Sequence, residues 1–212
     1  NQDRTIIARQ PIQVTAVGAT LDAPATAEAG STVQVAWSGP DYRNDFVAVS
    51  ATDDPTGYEN YTYTRDGSPA AVQMPTEPGE YELRYYVNQD RTIIARQPIQ
   101  VTAVGATLDA PATAEAGSTV QVAWTGPDYR NDFVAVSATD DPTGYENYTY
   151  TRDGTPAAVE MPTEPGTYEL RYYVNQDRTI ITRREIVVTE VFASLDAPAT
   201  ASVDETIQVG WQ

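Results

Sequence analysis

The chain of 212 residues contains no cysteine and no histidine, and its 13 basic residues are all arginine because lysine is absent as well. Without thiol, imidazole or amine there is no thiolate nucleophile, no histidine general base, no Schiff-base lysine and no Cys/His zinc site. Disulfides are excluded too, so the fold must be held by packing alone. Positive charge is scarce: 30 acidic residues outweigh the arginines and leave a net charge of -17. Such a chain repels nucleic-acid phosphate and anionic lipid, and its self-repulsion keeps a long polymer in solution. No apolar run reaches the length of a membrane span, so direct membrane insertion by this segment is not expected. No charged-then-apolar signal opens the chain, which places any export signal upstream.

What is present is repetition. The run NQDRTII starts at Asn1, Asn88 and Asn175, and residues 88 to 174 differ from residues 1 to 87 at four positions only: Ser38/Thr125, Ser68/Thr155, Gln73/Glu160 and Glu80/Thr167. A period of 87 residues is long enough for each unit to bury a modest core of its own.

Within a unit read from Gly18, short stretches are punctuated by Pro, Gly, Asp and Asn, an all-β pattern. Val33, Val35 and Trp37 alternate in one stretch, Val47 and Val49 in the next, and Tyr61 and Tyr63 share one side of a third. The segment AAVQM is a further short strand. After Pro78 and Gly79, Tyr81, Leu83, Tyr85 and Val87 occupy one face, with Glu82, Arg84 and Tyr86 on the other. Asn88 to Arg91 should reverse the chain into a hairpin, with Pro98 marking an edge or a bulge. With a first strand near ATLDAP the count is about seven, the signature of a β-sandwich.

The order VQVAW, DFVAV, PGEYELRYYV and PIQVTAV resembles the bacterial immunoglobulin-like repeats of cell-surface and secreted proteins, over the whole unit. It is similar to repeats attached to bacterial von Willebrand type A proteins. The resemblance implies tandem Ig-like β-sandwiches, an extracellular or bacterial cell-surface location, and a tyrosine corner at Tyr81 and Tyr168, whose hydroxyls would bond nearby backbone. The antibody-type cysteine pair is missing, and Trp37 ends the second strand instead of lying on the third.

In this register residues 1–17 are the closing strand of a truncated repeat, 18–104 and 105–191 are repeats, and 192–212 are the opening strands of a further, diverged repeat. That arrangement is expected of a window on a longer chain, or of strands supplied by neighbouring chains. No Ser/Gly tract separates PIQVTAV from GATLDAP, so closely stacked domains and a semi-rigid rod are expected. The third junction departs, with Glu190 and Phe192 where earlier units have Ala and Gly.

Two loops, PDYRND and ATDDPTGYEN, offer Asp41, Asn44, Asp45, Asp53, Asp54 and Glu59, hard oxygen donors of the kind calcium takes. Their spacing does not match the helix-loop-helix calcium loop; alternatively they are soluble turn residues, with Asp45 and Asp132 opening the third strand by bonding local backbone. Tyr58, Tyr61, Tyr63 and Tyr86 could present a platform for a surface glycan, or serve as strand residues that cover the core. Tyr86, Arg84 and Arg65, taken as outer-face residues, are candidates for contacts between chains, and Phe192 for packing at the junction between successive domains. Asn60-Tyr-Thr and Asn147-Tyr-Thr fit the short glycosylation pattern. The nearest carboxylate pair for glycosidase chemistry, Glu77 with Glu80, is lost in the second copy, where Thr167 replaces Glu80. The expectation is a non-enzymatic structural protein without a required cofactor: a stalk, adhesin shaft or self-associating filament. The alternative is an array that binds carbohydrate or calcium, or accessory repeats of a larger surface protein.

Overall fold

Every long element among the described residues is a strand. The computed structural model describes residues 7–211, which divide into two compact units between Ala103 and Val104.

The first unit contains β1 (Thr20–Asp22), β2 (Thr26–Glu28), β3 (Thr32–Ser38), β4 (Phe46–Ala51), β5 (Asn60–Tyr63), β6 (Ala70–Gln73), β7 (Gly79–Val87) and β8 (Thr92–Thr102). They form a three-stranded sheet, β1-β3-β6, and a five-stranded sheet, β2-β8-β7-β4-β5. Pro24 interrupts the expected first strand, because its ring fixes φ and it has no N–H to give a ladder. The chain therefore crosses there from one sheet to the other. β1 pairs antiparallel with β3, whereas β2 pairs parallel with β8. Counting the broken strand once gives the expected seven. The fold is an all-β sandwich of the Ig-like type.

The second unit repeats this order with β9 (Thr107–Asp109), β10 (Thr113–Glu115), β11 (Thr119–Thr125), β12 (Phe133–Ala138), β13 (Asn147–Tyr150), β14 (Ala157–Glu160), β15 (Gly166–Val174) and β16 (Thr179–Thr189). Two short strands follow, β17 (Leu195–Asp196) and β18 (Gly210–Trp211). Their pairing, Leu195 opposite Trp211, repeats Leu21 opposite Trp37 and Leu108 opposite Trp124. Residues 7–19 form no strand; residues 1–6 of the closing strand expected over 1–17 lie outside the described residues.

Alternation places Val33 and Val35, Val47 and Val49, Val72, Leu83, Tyr85, Ile99 and Val101 between the two sheets. Their counterparts form the core of the second unit, from Val120 and Val122 to Ile186 and Val188. Each fully buried Val or Leu contributes about 1.5–3 kcal/mol. Trp37 closes one end of the first core, its indole N–H donating to the Gly67 carbonyl at 3.0 Å and its ring edge-on to Tyr85.

The hairpin at Asn88 to Arg91 forms as expected, and Arg91 closes it with φ 51. The free edge expected at Pro98 holds locally, because β2 covers β8 only from Gln100 onward. The irregularity lies elsewhere, opposite Tyr85 and Tyr86, where Ile94 is the extra residue.

Two of the four differences between the repeats keep the atom that bonds. The Ser38 and Thr125 hydroxyls both meet the threonine hydroxyl across the strand at 2.7 Å. Those of Ser68 and Thr155 both accept the tryptophan backbone N–H. The other two, Gln73/Glu160 and Glu80/Thr167, are exposed.

Candidate functional site: a loop-covered aromatic and arginine cluster

The outer face of the five-stranded sheet is where the polar and aromatic candidates meet. β7 carries Glu82, Arg84 and Tyr86 on this face, as the alternation requires. The expectation that Arg84 and Tyr86 are surface residues open to another chain is corrected by the structure: both are 0% exposed. The loop between β4 and β5 folds back over them. It is held down by Arg84, which donates to the carbonyls of Ala51 (3.0 Å) and Gly57 (3.2 Å), and by the Tyr86 hydroxyl, which donates to Gly57 at 2.9 Å. Arg84 also pairs with Glu82 at 2.9 Å, and Glu82 reaches on to Arg96. Arg84 and Arg96 stand directly opposite across β7 and β8, so one carboxylate offsets two guanidinium charges that would otherwise repel. Burial pushes the Glu82 carboxyl up, but the bonds from both arginines outweigh it and hold the group below its ordinary range. The second unit builds the same network from Arg171, Glu169 and Arg183.

Around it lies a small second core. Phe46 stacks on Tyr86 with centroids 4.7 Å apart and planes 9° apart, and Tyr58 and Tyr61 meet Phe46 edge-on. Of the four tyrosines considered as a glycan platform, Tyr86 is therefore enclosed, while Tyr61 remains 44% exposed. Tyr58 and Tyr61 are inclined at 76°, and Tyr61 and Tyr63 at 78°, so these rings meet edge to face and share no common plane. Arg65 is exposed as expected. Its guanidinium sits 4.1 Å above the Tyr63 ring centroid and donates to Asn44 Oδ1 at 2.9 Å. Phe192 is 83% exposed, beyond the last strand of the second sandwich.

The candidate calcium donors fall into two groups with different duties. Asp41 and Asn44 have φ of 50 and 64, the left-handed region that Asp and Asn tolerate better than most residues. Asp45 is 0% exposed. Its carboxylate accepts the N–H of Tyr42 (2.9 Å), the N–H of Asn88 (2.9 Å) and the hydroxyl of Tyr85 (3.4 Å). It ties the loop before β4 to the β7–β8 hairpin, the local backbone role expected of it and a longer reach besides. Thr64 donates its hydroxyl to Asp41 Oδ1 at 2.6 Å. In the second unit burial pushes Asp132 up, against the lowering effect of the Asn175 and Tyr129 N–H groups and the Tyr172 hydroxyl.

Asp53 and Asp54 lie on the other loop. Asp53 is exposed, and Asp54 Oδ1 accepts the N–H groups of Gly57 (2.7 Å) and Thr56 (3.0 Å), bonds that hold its carboxyl below the ordinary range. Among the described residues, no group of three or more acidic side chains is arranged to hold a metal ion. The tyrosine corners form as the resemblance implies: Tyr81 donates to Glu77 O and Tyr168 to Glu164 O, each at 3.0 Å. Glu77 thus serves the fold through its carbonyl, and Glu80 is exposed on β7.

No known protein family matches the chain, and no curated protein matches it. Among solved structures it is similar to the BSP domain of a biofilm-associated protein, at 12% identity over 86% of this chain and 30% of that one, with a TM-score of 0.30. It is also similar to the Yersinia pseudotuberculosis adhesin InvE (15% identity, 80% and 58% covered, TM-score 0.30). A third is Drosophila OTK, extracellular domains 3–5 (9% identity, 82% and 62% covered, TM-score 0.28). The chain spans less than two thirds of the length of each.

Proposed function

We propose that this chain is a structural repeat segment of an extracellular, bacterial cell-surface protein, working as a stalk or adhesin shaft that holds other domains away from their anchor. One observation carries the reading. The side chains with most chemical potential, Asp45, Glu82, Arg84, Tyr81 and Tyr86, all make intramolecular bonds, and their equivalents 87 residues later do the same. The repeat copies a scaffold. Near-identity of neighbours suits a part used for length, since a set of distinct ligands would favour divergent surfaces. Self-association into filaments is the finer form of the same reading, with the exposed Arg65 and Tyr61 and their counterparts Arg152 and Tyr148 as contact residues. Accessory repeats beside a von Willebrand type A domain are another form of it.

A second reading, an array that binds a surface glycan or calcium, is favoured by the half-exposed Tyr61 and Tyr148 and by the exposed Asp53. Negative-stain microscopy of the native full-length protein, with and without a calcium chelator, separates the two. Separate thin rods unaffected by chelation are expected of a stalk, and ordered multi-chain filaments of the self-associating form. Saturable uptake of calcium or glycan by the array in calorimetry would replace both with the binding reading.

A further inference from the structure

We infer that two chains associate through opposite ends of their sandwiches, an arginine and tyrosine corner at the entry end of a unit receiving the acidic exit end of a unit in a second copy. This rests on the self-associating form of the reading above and names the surfaces that would touch. The repeat from Gly18 to Val104 has five arginines. Arg84 is buried and shares Glu82 with Arg96, which leaves Arg43, Arg65 and Arg91. All three are exposed and lie at the end where β1 begins: Arg43 on the loop before β4, Arg65 just after β5, and Arg91 in the β7–β8 hairpin. Arg65 covers the Tyr63 ring there, beside the exposed Tyr61. In the second unit Arg178, the equivalent of Arg91, comes within 5.9 Å of the Tyr145 ring, so the hairpin arginine addresses the same aromatic group. Arginine and tyrosine are both enriched where proteins meet. Asp41, Asp45, Asp66 and Asp90 stand among these arginines, so the entry end is close to neutral.

The exit end, where β8 finishes, has the opposite character. Glu28, Asp53, Asp54, Glu59, Glu77 and Glu80 are exposed on its turns and strand ends, and no arginine lies on those turns. Burial, and after it the charges of Glu59 and Glu77, push the Tyr81 hydroxyl up, as burial with Glu146 and Glu164 does for Tyr168, so these carboxylates gather at the tyrosine corner. The strand register separates the two ends. Tyr63 stands opposite Phe46 and Tyr81 opposite Ala51, five residues further along β4, or about 17 Å. That is roughly twice the Debye length at physiological ionic strength, so an approaching molecule meets two distinct patches instead of one averaged charge.

The two repeats hold this acidic end at constant charge while changing its residues. Glu80 becomes Thr167 and removes a charge, and Gln73 becomes Glu160 and restores it. Both positions lie at the exit end, since Glu80 stands opposite Gln100 and Gln73 opposite Thr32, beside the turn at Gly30. Each unit therefore carries six carboxylates there. All four side chains are exposed, so packing within the unit does not require that balance. A second copy supplies what each end lacks. Two chains lying side by side in opposite directions bring every arginine corner to an acidic end and every acidic end to an arginine corner, a self-complementary two-fold pairing. Parallel chains in register would set carboxylates against carboxylates, which costs several kcal/mol. The 87-residue period repeats the contact along the chain, so individually weak contacts act together.

The test is charge exchange in the full chain, read by analytical sedimentation at about 0.15 M salt. The unaltered chain should pair, and the pairs should separate at about 1 M salt, where the Debye length falls to about 3 Å. Reversing both corners with Arg65→Glu and Arg152→Glu should weaken self-association more than about tenfold, and so should reversing the acidic ends with Glu59→Arg and Glu146→Arg. An equal mixture of the two variants should associate again, because the reversed corner of one meets the reversed end of the other. Glu59 and Glu146 are exposed, so that variant folds even where loss of the Arg65 contact with Tyr63 destabilises the first. Association that ignores either reversal, or a mixture that stays apart, would overturn the inference and leave the self-associating form standing. An unaltered chain that never pairs would overturn both. Pairing only in the presence of a sulfated polysaccharide would assign the corner to an anionic glycan and overturn the inference as well.

Discussion

If Arg84 is a strut under a loop, replacing it should destabilise its own sandwich and leave the other unchanged. Arg84→Met keeps the apolar stem and removes the guanidinium. Two carbonyls, Ala51 and Gly57, lose a donor, and Glu82 loses one of its two arginines. Removing one partner of a buried pair costs about 3–5 kcal/mol. Glu82 keeps Arg96 and is a quarter exposed, and Gly57 O keeps the Tyr86 hydroxyl, so the lower end applies, about 3 kcal/mol. For a domain of this size that lowers the melting temperature by roughly 12–24 °C. The second unit, with Arg171 intact, is an internal reference: calorimetry of the full array should show one transition split into two, the upper one at the original temperature. A shift worth less than about 1 kcal/mol would refute the strut argument. Loss of association between chains with no thermal change would restore Arg84 as a contact residue.

Other consequences are open to direct measurement. Gly57→Ala would put a Cβ 2.0 Å from Asp54 Oδ2, so the loop should open, and protease cleavage between Asp53 and Glu59 should rise well before the sandwich itself unfolds. Tyr81→Phe deletes the corner bond to Glu77 O and should cost about 1–1.5 kcal/mol in urea denaturation; an unchanged midpoint would show the hydroxyl to be idle. Acid should act in two directions on the second unit. Glu169 is held below the ordinary glutamate value near 4.5, so its contribution is present above that value and lost as pH falls through its lowered one. Asp132 is raised, so its charge costs stability at neutrality, and that cost is relieved as pH falls through its raised value. Denaturation midpoints should therefore hold or rise slightly below neutrality and then drop as pH falls below the ordinary glutamate value near 4.5, and Glu169→Gln should flatten that last limb. A steady decline from pH 7 with no plateau would contradict the assignment.

Strand positions were legible because alternation in a two-layer sandwich is a local signal: Val33/Val35 and Val47/Val49 point inward as their spacing requires. The same rule misplaced Arg84 and Tyr86. It correctly set them on the face opposite Leu83 and Tyr85, but it could not tell that a loop lies on that face. A cue exists in hindsight. Glu82 and Arg84 share one side of β7, and PTGY supplies a small residue whose carbonyl can meet an arginine. The acidic loops were ambiguous for a different reason. Oxygen-rich side chains suit both a cation and a left-handed or Asx turn, and only the N–H groups of Tyr42, Asn88, Thr56 and Gly57 show how Asp45 and Asp54 are used. Parallel pairing of β2 with β8 left no local trace, since three residues after a proline carry no record of a partner some 75 positions away.

The limit of local reading is clearest where the chain contains its own control. Residues 7–17 and 94–104 are the same eleven letters, IARQPIQVTAV, with the same β-propensity and the same proline. In the second place they belong to β8 and its end, and Ile99 and Val101 are 1% and 2% exposed. In the first they form no strand, and the equivalent Ile12 and Val14 are each 88% exposed. What differs is the neighbours: β7 on one side and β2 on the other, present for one copy and lacking for the other among the described residues. β-propensity thus measures fitness for a pleated, half-buried surface, and that surface must be supplied by other strands. The energy that makes this segment a strand is therefore stored in the pairing with β7 and β2.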